Sequence, residues 1–513
     1  LGIANEQRSF GDYGPEVIAD GTGRIVEYRK ETGRRQFDRP NISGSYSRQS
    51  ASGNTFNIVG ELNGFYSDEQ EVSDRGSGTP AANTRQLKRS EDEYNYELGT
   101  DYEIALGSGQ LKLIALHRFE HSPTLDRVDT LFADGRSEGS VFDRIADEAE
   151  SILRAEYAFS GLDSQWRWAL EGTENYLDID AGLTELNSAG QFVPVPLDGA
   201  NSRVEETRAE TTLNVSHQLS NNMTAQATLG VEYSEIRQTG NTKVVRDFVR
   251  PKGFISLNYK PSETLFLSAK LERYVGQLRF FDFIASVDVN QEREDVTNIN
   301  LVPPQGWLLE VEAQRSLGAL GNTTFNLFFE DIEDIVDRIP IEGGGQAPGN
   351  INTAKRYGGS FEATFLSDDF LWKGGRADLS FDYSNSRVRD PILGTSRAIG
   401  NDFRKSYRLD LRQDFEDSSW AIGGAIDYSK VYPSVRIDEI SFYNQSPEIL
   451  NLYLENKDVG GLTIRANIWN LLGAKNRLER TIYSDRLSGD VAFSEKRSRS
   501  FGYSYTLTIE GTF

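Results

Sequence analysis

Only three histidines, His117, His121 and His217, occur among the 513 residues, so any imidazole chemistry must use them. His117 and His121 lie in the stretch ALHRFEH. They share strand parity but stand two pleats apart, roughly 13 Å along an extended backbone. That separation does not suit two ligands of one metal ion. A hydrolase would pair one of the three with a Ser or Asp in a defined pocket. No spacing in the chain selects such a set, so rim histidines at an interface are the plainer reading. Asp331, Glu333, Asp334 and Asp337 crowd the run EDIEDIVDR. It lacks the spacing of a calcium loop, and a solvated strand end is expected. Asp282, Asp288, Glu292, Glu294 and Asp295 are spread along a polar stretch that could receive a cationic or metal-bearing ligand. Gly343 to Gly345 reads as a flexible tip, since a phosphate cradle would open a helix and none is signalled. On these grounds the chain is read as a non-enzyme with no catalytic residues, no metal ligands and no cofactor. Its ligand-contacting residues are left unassigned.

The elements that would hold these residues are strands. Phe501 to Phe513 reads FGYSYTLTIEGTF, with Tyr503, Tyr505, Leu507, Ile509 and Phe513 on one face and Ser504, Thr506, Thr508 and Glu510 on the other. A period of two is a β-strand. An apolar, aromatic-rich face opposite a polar one is the unit of a transmembrane barrel, whose strands need roughly 9 to 11 residues. A soluble antiparallel strand with one buried face has the same pattern. Other segments favour the membrane. Tyr94, Tyr96, Leu98, Tyr102 and Ile104 oppose Asn95, Glu97, Gly99, Asp101 and Glu103. Likewise Tyr407, Leu409, Leu411 and Phe415 oppose Arg408, Asp410, Arg412 and Asp414. Charges of both signs fill the second face, as the water-filled lumen of a large barrel allows. Trp166, Trp168, Trp420 and Trp469 fall near strand ends, where an interfacial girdle explains them better than sugar stacking.

Composition agrees. The chain is polar, with 37% hydrophobic residues and a mean hydropathy of −0.52, yet 11% of it is aromatic. No run approaches the roughly 18 apolar residues of a membrane helix. The absence of cysteine excludes a disulfide framework. A net charge of −23 argues against a nucleic-acid partner. Short connections at Leu106–Gln110, Phe159–Ser164, Leu219–Met223, Lys260–Thr264, Leu317–Asn322 and Phe415–Ser419 alternate with long polar stretches at 68–90, 122–148, 179–202, 276–304, 336–352, 386–402, 431–448 and 474–499. Short turns at one end and long loops at the other describe an outer-membrane barrel. The segments number about 20, where plugged transporter barrels have about 22 strands. Leu1 to Ser9 reads like the tail of a strand under way, so one or two strands are expected upstream.

Four segments resemble the C-terminal barrel of TonB-dependent outer-membrane receptors. They are Asn300 to Glu312 (NLVPPQGWLLEVE), Thr324 to Val336 (TFNLFFEDIEDIV), Asn350 to Phe365 (NINTAKRYGGSFEATF) and Leu462 to Leu472 (LTIRANIWNLL) with its Asn-Leu-Leu turn. The resemblance runs from about residue 40 onward, and the family's N-terminal plug with its TonB-contacting box has no counterpart in these residues. It implies an all-β transmembrane antiparallel barrel over residues 1–513, placed in a Gram-negative outer membrane. It also implies uptake of a scarce small solute, such as a metal chelate, vitamin or oligosaccharide, energised by the TonB complex through a plug. Tyr505, Leu507, Ile509 and Phe513 would be the signal read by the outer-membrane assembly machinery, with membrane lipid around the wall. A passive porin-like channel is the alternative, and an adhesin or hydrolase barrel a more distant one.

Overall fold

The computed structural model describes residues 2–77, 82–197, 199–240, 243–284, 286–291, 293–341, 345–368, 373–446 and 448–511. One antiparallel sheet holds almost all of them, and the remaining secondary structure is a two-stranded ribbon and two short 3-10 turns. Successive strands pair with their sequence neighbours around the sheet. Joining the segments that a mid-wall break divides and leaving aside three short extensions gives twenty wall strands among the described residues. The sheet closes because the first strand, Gly2–Asp20, pairs with the last wall strand from Tyr13↔Ser500 to Asp20↔Phe493. Among the described residues no helix is long and apolar enough to cross a membrane, and the described wall is made of strands.

The short turns gather at one end, as expected. The stretches expected to be loops are different: most of them are strand. Asn83–Leu106, Gly109–Phe132 and Ser137–Gly161 run for 24, 24 and 25 residues, more than twice the length needed to cross a bilayer. Their polar upper halves keep the ladder because nearly all of their residues are still paired with a neighbouring strand.

Within such a strand the two faces exchange character. In Ser164–Leu186, Trp168 and Leu170 point outward near the turn end and are more than half exposed, while Glu171 points inward and pairs with Arg154 at 2.9 Å. Farther up the same strand Leu177 and Ile179 point inward and are buried, and Asp178 and Asp180 point out. The lower half is a membrane wall with a wet interior. The upper half is a water-soluble shell with a packed interior.

One mid-wall break was expected as a turn. Asn470, in the Asn-Leu-Leu segment, does not end its strand, which resumes as Lys475–Asp485. Asn470 is fully buried at φ 62°, donates to the carbonyls of Ala474 (3.2 Å) and Gly502 (2.8 Å), and accepts from the Ala474 N–H (2.7 Å). A short amide side chain that tolerates the left-handed region holds two adjacent strands open at one level.

Candidate functional site in the barrel mouth

Residues 276–304 leave the wall and fold inward. The root is closed by the Gly276 N–H donating to the Pro304 carbonyl at 2.7 Å. On the outgoing leg Phe283 and Ile284, with Leu301 of the return, pack on Ala146, Leu177, Ile179, Val204 and Ile236. These inward apolar residues of the upper wall exist to receive the loop. Each fully buried side chain of this size stabilises the fold by roughly 1.5–3 kcal/mol. At the tip, Ser286–Asp288 pairs with Arg293–Asp295, and Asp288 closes the turn by accepting from the Asn290 and Gln291 N–H groups. Arg85 donates to the Val289 and Asn290 carbonyls at 3.1 and 2.8 Å.

The far side of the loop is held by charge. Arg293 grips Glu439, and Asp295 accepts from Arg436 (2.6 Å) and Arg338 (3.1 Å). On the return, Asn350 accepts from the Val302 N–H (2.9 Å) and donates to the carbonyls of Val302 (2.8 Å) and Asp334 (2.6 Å), while Arg250 donates to the Pro303 carbonyl (2.6 Å). The loop thus reaches from its root to wall strands on the opposite side of the barrel.

Between the loop tip and the opposite wall lies a chamber of about 300 Å³. Guanidinium groups from five elements line it: Arg29, Arg75, Arg293, Arg436 and Arg480. Four have a carboxylate behind them: Arg29 pairs with Glu16 at 2.5 Å, Arg293 with Glu439, Arg436 with Asp295, and Arg480 with Glu495 at 2.5 Å. Those four acids are all nearly fully buried. Arg75 differs. Its Nε donates to Ser73 Oγ at 3.0 Å, and no carboxylate lies within ion-pair distance among the described residues. Burial, with Arg29 and Arg85 nearby, pushes its guanidinium down to about 10. Glu16 moves the other way: burial, with Glu31 and Glu495 adding to it, raises its carboxyl to about 7 against the pull of Arg29. Around it Arg499 of the last wall strand reaches Glu31 and, at 2.6 Å, Glu71, so ion pairs sew the upper seam.

Of the acids in this stretch, Asp295 pairs with Arg436 and Arg338 and Asp288 closes the turn, while Glu292 and the side chain of Glu294 lie outside what the structure describes. The described charged groups lining the chamber are five arginines, Asp438 and the buried Glu439. The run at 331–337 is not a solvated strand end either. Glu333 holds Arg273 at 2.9 Å, Asp337 holds Arg397 at 2.9 Å, and Asp334 sits at φ 57° with its carbonyl clamped by Asn350. Among the described residues no group of acidic or histidine side chains has metal-binding geometry. His117 and His121 face outward against Tyr96 and Tyr94, with ring centroids 5.8 and 5.2 Å apart. His217 meets Ser164 Oγ at 2.9 Å beside a short turn. Its Nδ1 also lies 3.2 Å from the Asp163 backbone carbonyl, and among the described residues no carboxylate hydrogen-bonds it as the acid of a triad would. Trp168 and Trp420 are exposed near the turn end, Trp166 stacks on Phe159 there, and Trp469 packs on Phe501 at the mid-wall break. Tyr505, Leu507 and Ile509 are exposed on Ser504–Glu510, which pairs with Leu462–Trp469. Phe513, Gly343 and Gly344 lie outside the described residues.

The five chamber arginines went unremarked at the level of sequence. Parity offered a signal, since Glu71, Ser73 and Arg75 share the inward face of one strand. Nothing local said that a loop from residue 276 onward would close over them.

No family model matches the chain, and no curated protein matches it. Solved structures do. The ferric citrate transporter FecA in the unliganded form superposes with a TM-score of 0.58 over 97% of this chain and 78% of its own, at 11% identity. The ferric-catecholate import receptor Fiu from K12 E. coli gives 0.56 over 97% and 82%, at 8% identity. The copper transporter OprC gives 0.54 over 97% and 80%, at 14% identity. Over nearly its whole length, the chain has the fold of these outer-membrane receptor and transporter barrels, the architecture that its resemblance to TonB-dependent receptors implied.

Proposed function

We propose that the chain is the barrel of an outer-membrane receptor that captures one scarce small solute at its outer mouth and imports it with TonB-coupled energy. The observation that carries this reading is the inward loop. A barrel this wide would pass solutes freely, but residues 276–304 cross the mouth and leave a chamber of about 300 Å³, at the lower end of small-molecule site sizes. Capture at a fixed site fits a receptor better than a passive channel. The likeness to proteins described as a ferric citrate transporter, a ferric-catecholate import receptor and a copper transporter supports the same class. No covalent step is involved, and the energy enters through a plug segment that contacts TonB. The outward apolar band meets outer-membrane lipid, and Tyr505, Leu507, Ile509 and Phe513 serve the assembly machinery.

The test is uptake by cells bearing the full-length protein, with and without a protonophore. Saturable uptake that stops when the proton gradient collapses is expected. Saturable uptake indifferent to the protonophore would replace the active importer with a passive channel.

A further inference from the structure

The chamber's wall identifies the chemistry of its occupant. In a chain of net charge −23, five arginines line this space beside amide and apolar side chains such as Asn290, Gln346, Ile482 and Phe493. Their acids do not cancel them from the chamber's side. Glu16 and Glu495 stand behind their arginines in the wall and Asp295 behind Arg436 on the loop, and Glu439 is turned onto Arg293 and almost fully buried. Among the described residues Asp438 is the remaining acid that lines the chamber, and it is exposed. A guanidinium carries five N–H donors in a fixed fork, and a single carboxylate occupies at most two of them at once. Arg29 is also held by Glu27, and Arg480 lies 4.0 Å from Glu439, yet all four guanidinium side chains line one small volume, from the loop, from the wall and from the segment before Glu439.

Among the described residues Arg75 has no carboxylate within ion-pair distance, and Glu31 and Glu16 act on it only from farther off. A guanidinium largely withdrawn from water with only a hydroxyl bonded to it is costly to hold, and the nearby acids Glu31 and Glu71 are bound by Arg499. An anion entering the chamber would compensate this charge and use the unspent donors of the others. A neutral sugar would leave the charge unanswered, and a cation would be repelled.

We propose that this chamber is a binding site for a small polyanion whose carboxylate or phosphate oxygens are received by Arg75 together with the free edges of Arg29, Arg293, Arg436 and Arg480. The inference rests on the receptor reading above and names its solute class. A site of about 300 Å³ takes a compact solute with two or three charges. Its affinity falls as salt rises, because screening weakens each charged contact that is not fully enclosed.

The test uses the full-length protein in detergent and in cells. Calorimetric titration with tricarballylate, a metal-free tricarboxylate, and with inorganic pyrophosphate separates carboxylate from phosphate recognition. Sucrose and spermidine are the neutral and cationic controls. At least one anion is expected to bind, the controls are not, and Arg75→Gln should weaken binding tenfold or more. Arg75→Lys should retain part of it, and Arg136→Gln, on an exposed hairpin tip, should leave it unchanged. Arg75→Gln should melt no lower than the unaltered protein, which separates loss of the site from loss of the fold. Equal affinity in Arg75→Gln, or binding of neither anion, would overturn the proposal. If gradient-dependent uptake of some other solute persists in that case, the importer reading survives without it. Conversely, Arg75-dependent anion binding with uptake indifferent to the protonophore would keep the site and remove the importer.

Discussion

Leu170 and Leu177 stand seven positions apart on one strand, face opposite sides of the wall, and are right for opposite reasons. Leu170 is 54% exposed on the outer surface of the lower barrel, and Leu177 is 0% exposed beneath the inward loop of the upper barrel. Below, the solvent for apolar groups is lipid outside the wall. Above, water surrounds the wall and the only dry place is inside it, where residues 276–304 pack. The same alternation therefore serves two solvents, and the hydrophobic face changes sides where the medium changes. Membrane barrels are commonly described by one rule, apolar out and polar in. That rule holds here only up to the level at which the loop begins.

The largest expected effect tests the packed half. Leu177→Ala should destabilise the protein by about 2–5 kcal/mol, because it opens a cavity in a dry cluster, while Leu170→Ala should cost under about 1 kcal/mol, since lipid fills the space. Urea unfolding of the full-length protein in bilayers measures both, and equal losses would mean the two faces are assigned wrongly. A second pair holds the face constant and changes the height. Leu170→Arg puts a charge into lipid at a cost of roughly 2–4 kcal/mol near the midplane. Leu131→Arg, on the same outer surface but at the top of Gly109–Phe132, meets water and should change stability by about 0.5 kcal/mol or less. Comparable folding yields for the two would place the membrane boundary elsewhere.

A third, smaller effect concerns the charged seam of the upper half. Glu16 holds its proton to about pH 7 in the folded protein, against 4.5 ordinarily. Between those values the folded state binds more protons than the unfolded one, so this group's contribution to stability falls as pH rises through the window and levels off above it. Glu16→Gln imitates the protonated form. It should be more stable than the unaltered protein by roughly 1–3 kcal/mol at pH 8 and indistinguishable from it below pH 4.5. A difference that persists at low pH would show that Glu16 acts through its shape or its bond to Arg29, not through its charge.

Much of the lower barrel was legible in the residues. The outward rows Tyr94, Tyr96, Leu98 and Leu507, Ile509 are exposed as their alternation required, and the short turns from Leu106 to Ser419 lie together at one end. The upper barrel was misread as loops because its strands are polar outside and mixed inside, so they lack the contrast that alternation depends on. Asn350 and the Pro303–Pro304 pair were noticed as marks of resemblance, but not as the clamp that pins the inward loop.

The sequence by itself determined strand over helix, the antiparallel hairpin order, the turn end and the membrane-facing rows, because a period of two and a turn of a few residues are local properties. The tertiary structure alone decided which way the loop would fold and what it would enclose. Arg75 and Asn290 meet at the chamber across more than 200 positions of chain, as do Arg499 and Glu31 across 468 at the seam. Only closure of the sheet brings them together. Two of the acidic residues in that stretch, Asp288 and Asp295, are used in holding the loop, and the arginines, scattered over five elements, became one surface. Net charge is a sum over the chain, whereas the field in a cavity is set by the few groups that line it and by what stands behind them.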